Sequence, residues 1–154
     1  MKIRIDLDET IREEELIIKC PKLTAEIQQI ERVISDMLGK VQDFILYKED
    51  KEYYVPVDTI LFFETGEERV YAHTKENVFR TTYRLYELEK LLPATFMRVS
   101  KSTILNVKEI YSITKNITST SVVQFAGTAK EVYVSRNYYK ALKFKLEEMH
   151  HYEK

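Results

Sequence analysis

Phe96-Met97-Arg98-Val99-Ser100-Lys101-Ser102-Thr103-Ile104-Leu105-Asn106 is the stretch on which the reading of this chain turns. Apolar side chains at 96, 97, 99, 104 and 105 surround a knot of two cations, three hydroxyls and an amide. Aromatic and β-branched residues on either side of a hydroxyl-rich interruption predict strand–turn–strand. Arg98 and Lys101 can meet an anion, and Ser100 and Ser102 can donate to phosphate oxygens or base edges. Further on, Val132-Tyr133-Val134-Ser135-Arg136 ends a second expected strand with the same chemistry. Two cation–hydroxyl clusters at strand ends suggest one polyanion-binding surface.

Length and composition bound what surrounds that surface. The 154 residues suffice for one good core, or for a main domain with a small appendage. A hydrophobic content of 44%, with 12% aromatic, is that of a globular chain. No apolar run approaches the roughly 18 residues that span a bilayer. The start, Met1-Lys2-Ile3-Arg4-Ile5-Asp6, lacks a signal-peptide core, so a cytoplasmic location is expected. The one cysteine, Cys20, excludes an internal disulfide framework and reads as a packed, unreactive thiol.

The formal charge of −1 hides an asymmetry. Residues 1–52 carry a net of −4 and residues 53–146 a net of +5. Within 98–145, nine Lys/Arg face two Asp/Glu. Localised positive charge of this kind attracts polyanions and strengthens association at low salt.

Two parts are expected, divided at 46/47. In residues 1–46, Ile3, Ile5 and Leu7 alternate with Arg4 and Asp6, as in a half-buried strand. Glu15–Lys19 is a second short strand candidate. From Thr24, apolar residues at 27, 30, 33, 34, 37 and 38 form one stripe of an α-helix. Thr24 suits the N-cap, Glu26 the first-turn dipole and Gly39 the C′ stop. A ββα segment this short is marginal alone and should dock on the second part or on another copy.

From Phe44 onward the pattern changes to short strands at Phe44–Tyr47, Tyr53–Val57, Ile60–Phe63, Val70–His73 and Val78–Arg80. Polar, turn-forming segments separate most of them, which predicts an antiparallel β domain. Pro56 argues for an edge or a strand end. Leu85, Leu88, Leu91 and Leu92 mark a short helix stopped by Pro93. Later strands are expected at Ile110–Ile113, Val122–Phe125 and Val132–Val134, with a turn at Ala126-Gly127-Thr128. A closing helix from about Asn137 places Tyr138, Leu142, Leu146 and Met149 on one face, with Ser135 as its N-cap. The fold class is therefore α+β and mostly β.

These segments resemble the LytTR DNA-binding domain in order and spacing over about 53–146. Tyr54-Val55-Pro56-Val57-Asp58-Thr59-Ile60-Leu61-Phe62-Phe63-Glu64 looks like its opening. Tyr83-Arg84-Leu85-Tyr86-Glu87-Leu88-Glu89 is similar to its leucine-patterned helix. The 96–106 stretch resembles its F-x-R-x-H-R-S-x-x-V-N signature, and Val134-Ser135-Arg136-Asn137-Tyr138 its close. At the position of Ser100 the family usually has His, and at that of Lys101 often Arg. Lysine keeps the charge but loses the fork that suits guanine O6 and N7.

The resemblance implies short antiparallel sheets that bind promoter DNA through loops, on repeated half-sites, and hence a homodimer or paired binding. It implies major-groove or phosphate contacts at Arg69, Arg98, Ser100, Lys101, Ser102, Ser135 and Arg136. Glu67 and Glu68 beside Arg69 would repel phosphate, and Lys140 and Lys143 could reach the backbone from the last helix. The amino-terminal segment resembles the short leader of stand-alone LytTR regulators, which implies a small membrane-protein inhibitor as a further partner. It is too short for a receiver domain.

No enzyme, cofactor, metal or small-molecule substrate is expected. The carboxylates lack a supporting His or Gly-rich loop, and His150-His151 point apart on a helix. His73 reads as a packed or surface histidine. A rival reading from another class is a β-rich protein-interaction module, whose pairing would be nearly insensitive to salt. Single-strand binding would need exposed tyrosines, whereas most of the eleven lie in strand patterns.

Overall fold

A computed structural model describes residues 1–12, 14–38, 43–116 and 120–151. Within them the first regular element is helix α1 (Ala25–Met37). Ile27 N–H donates to the Thr24 hydroxyl at 3.3 Å, so Thr24 is the N-cap. Gly39 lies outside the described residues. The two strands expected at Ile3–Leu7 and Glu15–Lys19 are not formed. The alternation is present in the sequence, but a strand needs a partner for its backbone groups, and no described segment of the chain supplies one. The amino-terminal segment is thus a helix preceded by irregular chain, not ββα.

The remaining strands build two antiparallel sheets. The larger contains β1 (Asp43–Lys48), β2 (Lys51–Pro56), β3 (Phe62–Thr65), β4 (Val70–His73), β5 (Val78–Thr81), β6 (Phe96–Ser100) and β7 (Thr103–Asn106). Their order is β2-β1-β5-β4-β3-β7-β6. Pro56 ends β2, an edge strand, where its missing N–H costs no ladder bond. β1 crosses the expected 46/47 division and pairs along its length with β2, so the β unit begins at Asp43. The smaller sheet is β8 (Ile110–Thr114), β9 (Ser121–Phe125) and β10 (Glu131–Val134), in the order β10-β9-β8. Gly127, at φ 76°, makes the β9–β10 turn in a conformation that L side chains avoid.

Two helices complete the domain, α2 (Leu85–Leu91) and α3 (Arg136–His151). Side chains alternate across the large sheet, so its central strands feed two cores. Phe63 and Ile104 pack on one side with Phe44, Leu46, Phe79, Leu85 and Leu88. Phe62 and Leu105 pack on the other with Val99, Val123, Phe125, Val134 and Leu142. All four residues of β7 are buried, the pattern of a strand covered on both faces. α2 covers the first core; the small sheet and α3 cover the second. Leu142 and Leu146 are buried and Tyr138 and Met149 partly so, as the stripe on α3 requires.

Asn106 ties the end of β7 to the chain before β3. Its amide donates to the Ile60 carbonyl at 3.2 Å, and its side-chain oxygen accepts from Lys108 N–H at 3.2 Å. Its backbone N–H donates to Leu61 at 2.8 Å. A buried amide with every one of these bonds made fixes the register around the second core.

Candidate nucleic-acid interface

Three loops converge beside β6 and β7. The first, Gly66–Arg69, joins β3 to β4. Gly66 N–H donates to Arg69 C=O at 2.7 Å, and a Cβ on Gly66 would lie 2.4 Å from the Tyr71 ring. Only glycine lets the loop approach so closely. The second is the Lys101–Ser102 turn between β6 and β7. Thr65 N–H donates to the Ser102 carbonyl at 2.9 Å, which fastens it to the first loop. The third joins β10 to α3. Ser135 N–H donates to the Val99 carbonyl at 2.9 Å, which places the start of α3 against β6.

The polar knot organises itself through Arg98. Met97 and Val99 face the second core, so Arg98 faces the other way, toward α2. Its Nε donates to the Ser100 carbonyl at 3.0 Å and one terminal nitrogen to the Lys101 carbonyl. The other donates to Glu89 Oε1 at 2.8 Å. One guanidinium therefore clamps the turn to α2. The shift in pairing register between Arg98 and Ser100 marks a bulge that re-aims the chain at this point. Ser100 Oγ accepts from Ser102 N–H at 3.2 Å and lies 3.3 Å from Ser102 Oγ. Ser100 is therefore chiefly a turn former, while the exposed Lys101 and Ser102 project from the tip.

Arg136 is exposed at the first position of α3, one residue beyond the junction with β6. Ser135 holds the N-cap position through its backbone: its carbonyl accepts from Tyr138 and Tyr139. Among the described residues its hydroxyl has no intramolecular partner. Lys140 is also exposed on α3, and Lys143 is half-buried.

Between the first two loops lies an open cleft of about 680 Å³. Arg69, Arg98 and Lys101 line it, together with Glu67, Glu68 and Arg84. The sequence did not single out Arg84. Its backbone caps α2, accepting from Glu87 and Leu88 and donating to the Glu87 carboxylate at 3.1 Å. The guanidinium has no hydrogen-bond partner among the described residues and is exposed. The signal available in sequence was an arginine immediately before a helix, where a short capping hydroxyl or amide is the commoner choice.

Two more positions link the sheets. His73 stacks on Phe62 at 4.2 Å between ring centroids, and its Nε2 lies 2.9 Å from Glu64 Oε1. That contact is at ion-pair distance but off the hydrogen-bond axis. Burial lowers the imidazole pKa; Lys130 acts in the same direction and Glu64 opposes them. Lys130, just before β10, donates to the carbonyls of Thr74 and Asn77 at 2.7 and 2.8 Å. It staples the small sheet to the β4–β5 turn, and burial lowers its pKa too. Among the described residues no cluster of His, Cys, Asp and Glu could hold a metal, and no helix is long and apolar enough to cross a membrane. Of the described tyrosines, Tyr54, Tyr86, Tyr111 and Tyr133 are exposed.

Comparison with known proteins agrees with this architecture. The family model of the LytTr DNA-binding domain matches residues 50–147. The chain is 30% identical over 148 residues to uncharacterized HTH-type transcriptional regulators of two Staphylococcus aureus strains, bovine RF122 / ET3-1 and NCTC 8325 / PS 47. Each match covers 95% of this chain and 98% of the relative. Helix-turn-helix is the wording of those proteins' names. Here α2 and α3 are separated by five strands, and no helix-turn-helix occurs among the described residues. A solved structure superposes with a TM-score of 0.62 at 28% identity, covering 69% of this chain and 96% of the other. It is the LytTr DNA-binding domain of a Bacillus cereus protein described as a methyl-accepting/DNA response regulator. The chain belongs to the LytTr DNA-binding domain family.

Proposed function

We propose that this chain regulates transcription by reading duplex DNA through its three clustered loops. Family membership carries the general activity, and the finer reading rests on one observation. The backbone bonds Thr65–Ser102 and Ser135–Val99 hold three loops, each with a basic residue, beside the same pair of strands. Lys101 and Arg136 are exposed cations one residue along the chain from those bonds. We assign Arg136 to the major groove and Lys101 to a phosphate at its edge. Arg136 has the fork for guanine; Lys101 serves as a point charge. Arg69 and Arg84, which both line the cleft, would meet phosphates, while Glu67 and Glu68 limit how closely the first loop approaches. Ser102 and Ser135 can donate to phosphate oxygens. Arg98 and Ser100 shape the turn and contribute to binding through it.

The reading includes two parts: an amino-terminal segment that mediates association, and the β domain from Asp43 onward. Association into a homodimer suits repeated half-sites. The family resemblance also implies a small membrane-protein inhibitor, for which the amino-terminal segment is the surface on offer. The chain is read as a cytoplasmic protein without catalytic activity.

Selection from random duplexes, followed by a salt titration on the selected site, tests the proposal. Affinity should fall steeply between 50 and 200 mM salt. Salt-insensitive association with a protein partner and no selected sequence would favour the β-rich interaction module instead.

A further inference from the structure

The segment Lys2-Ile3-Arg4-Ile5-Asp6-Leu7-Asp8 reads the same in charge and polarity when a second copy is laid antiparallel to it about Ile5. Lys2 then opposes Asp8, Ile3 opposes Leu7, Arg4 opposes Asp6, and Ile5 opposes itself. We propose that this segment is the homodimerisation strand of the protein, paired antiparallel with the same segment of a second copy across a two-fold axis through Ile5. The inference rests on the homodimer reading above and assigns its interface.

The structure supplies the reasons to look for a partner here. Residues 1–7 make no backbone hydrogen bond to any described residue, so their donors and acceptors are available. Ile3, Ile5 and Leu7 are 91%, 81% and 95% exposed. An alternating segment whose backbone groups are unpaired is open to strand pairing with another chain. Arg4 and Asp6 already share a face, since a terminal nitrogen of Arg4 lies 2.7 Å from Asp6 Oδ2. Both side chains are largely exposed, at 82% and 71%, and can exchange that pairing for the equivalent one across the axis.

Charge selects both the direction and the register. Parallel, in-register pairing would set Lys2, Arg4, Asp6 and Asp8 each against its own copy, and like charges directly opposite are destabilising. An antiparallel slip of two residues would centre the axis on Arg4 or on Asp6, with the same fault. A slip of one residue would put apolar and charged side chains on the same face. Only the Ile5-centred register sets every charge on one face against its opposite while keeping isoleucine and leucine on the other. A two-fold axis makes such an interface self-complementary.

A two-stranded ribbon is marginal alone, so its apolar face needs a cover. The α1 stripe is the surface available. Val33, Met37 and Leu38 are exposed, and Ile27, Ile30 and Ile34 are only half-buried. Two ribbon strands beneath two helices form a layered unit of the usual kind. Membership of both elements in the same short segment brings them together in the dimer without engaging the DNA-binding loops.

Sedimentation equilibrium of the full chain tests the assignment with four samples. The wild type should dimerise. Arg4→Asp and Asp6→Arg alone should each turn two attractive cross-strand pairs into repulsive ones and raise the dimer dissociation constant by about tenfold or more. The double variant Arg4→Asp/Asp6→Arg should return to the wild-type value, and an equimolar mixture of the two single variants should form heterodimers. Binding of each variant to a single half-site, unchanged from wild type, verifies that the β domain is intact. A wild type that stays monomeric overturns the homodimer reading together with this one. A wild-type dimer that the single variants leave intact overturns the strand assignment alone. Failure of the double variant and of the mixture to recover dimer also overturns it.

Discussion

The Ser135 N–H donates to the Val99 carbonyl at 2.9 Å, which joins the start of α3 to the strand that carries the signature turn. Arg136 therefore projects from a rigid junction between two elements. The backbone that carries Arg136 is fixed by this bond, whereas Lys101 sits at a turn tip. Arg136→Ala should cost about 1–3 kcal/mol on a selected site and relax preference at one base pair. Lys101→Ala should weaken all sequences alike and reduce the salt slope by about one. Fluorescence anisotropy on matched and single-substituted duplexes, repeated across salt, separates the two. Equal binding by the wild type and the Lys101→Ala/Arg136→Ala double variant would sink the assignment of both.

Arg98 presents the opposite case. Its donors are engaged with Ser100, Lys101 and Glu89, so the expected phenotype of Arg98→Ala is a loosened turn. Because both the arginine and Glu89 are partly solvated, the stability loss should be about 1 kcal/mol. DNA affinity should fall with the salt slope unchanged, because no phosphate contact is lost. A slope reduced by about one would make Arg98 a phosphate contact instead.

Much of this was legible from local pattern. The strands of both sheets, the two domain helices and the Ala126-Gly127-Thr128 turn follow from alternation, periodicity and turn chemistry, which are local. Partnership is not local, and that is where the sequence stopped. Alternation at Ile3–Leu7 gives a strand face but cannot tell whether one chain holds the mate. The run Ile60–Phe63 is apolar throughout, yet β3 begins at Phe62. Ile60 instead caps the 3-10 turn Val57–Thr59, its N–H donating to the Val57 carbonyl, while Leu61 bonds His73 and Asn106 of the neighbouring strands. Alternation with Met97 and Val99 is enough to turn Arg98 away from their core, but its partner Glu89 lies on another element. Arg84 was hidden because the cleft it lines is completed by segments distant in sequence.

Asn106 tests how far the second core depends on one polar residue. It is 1% exposed and bonds Ile60 and Lys108 through its side chain. Asn106→Ala leaves a buried carbonyl and an N–H without partners, which should lower unfolding free energy by about 1–3 kcal/mol. Urea unfolding should show a lower midpoint with an unchanged slope. A midpoint shift equivalent to less than about 0.5 kcal/mol would mean that water or a neighbour replaces the amide.

His73 gives the domain a defined response to acid. Burial holds its pKa below the usual 6.5, aided by the Lys130 ammonium and opposed by Glu64. Below pH 6.5 the unfolded chain binds a proton at this residue that the folded chain takes up only at lower pH. Stability must therefore fall as pH drops through that window, and it is fully present above it. The contribution to the slope cannot exceed about 1.4 kcal/mol per pH unit, the limit for one proton. His73→Phe keeps a ring against Phe62, at 4.2 Å in the native stack, and removes the titration. Urea midpoints of the two proteins measured from pH 8 to pH 5 should diverge, with the variant's curve the flatter below pH 6.5. Parallel curves would mean that His73 takes up its proton equally in both states, and that the Glu64 contact offsets the burial.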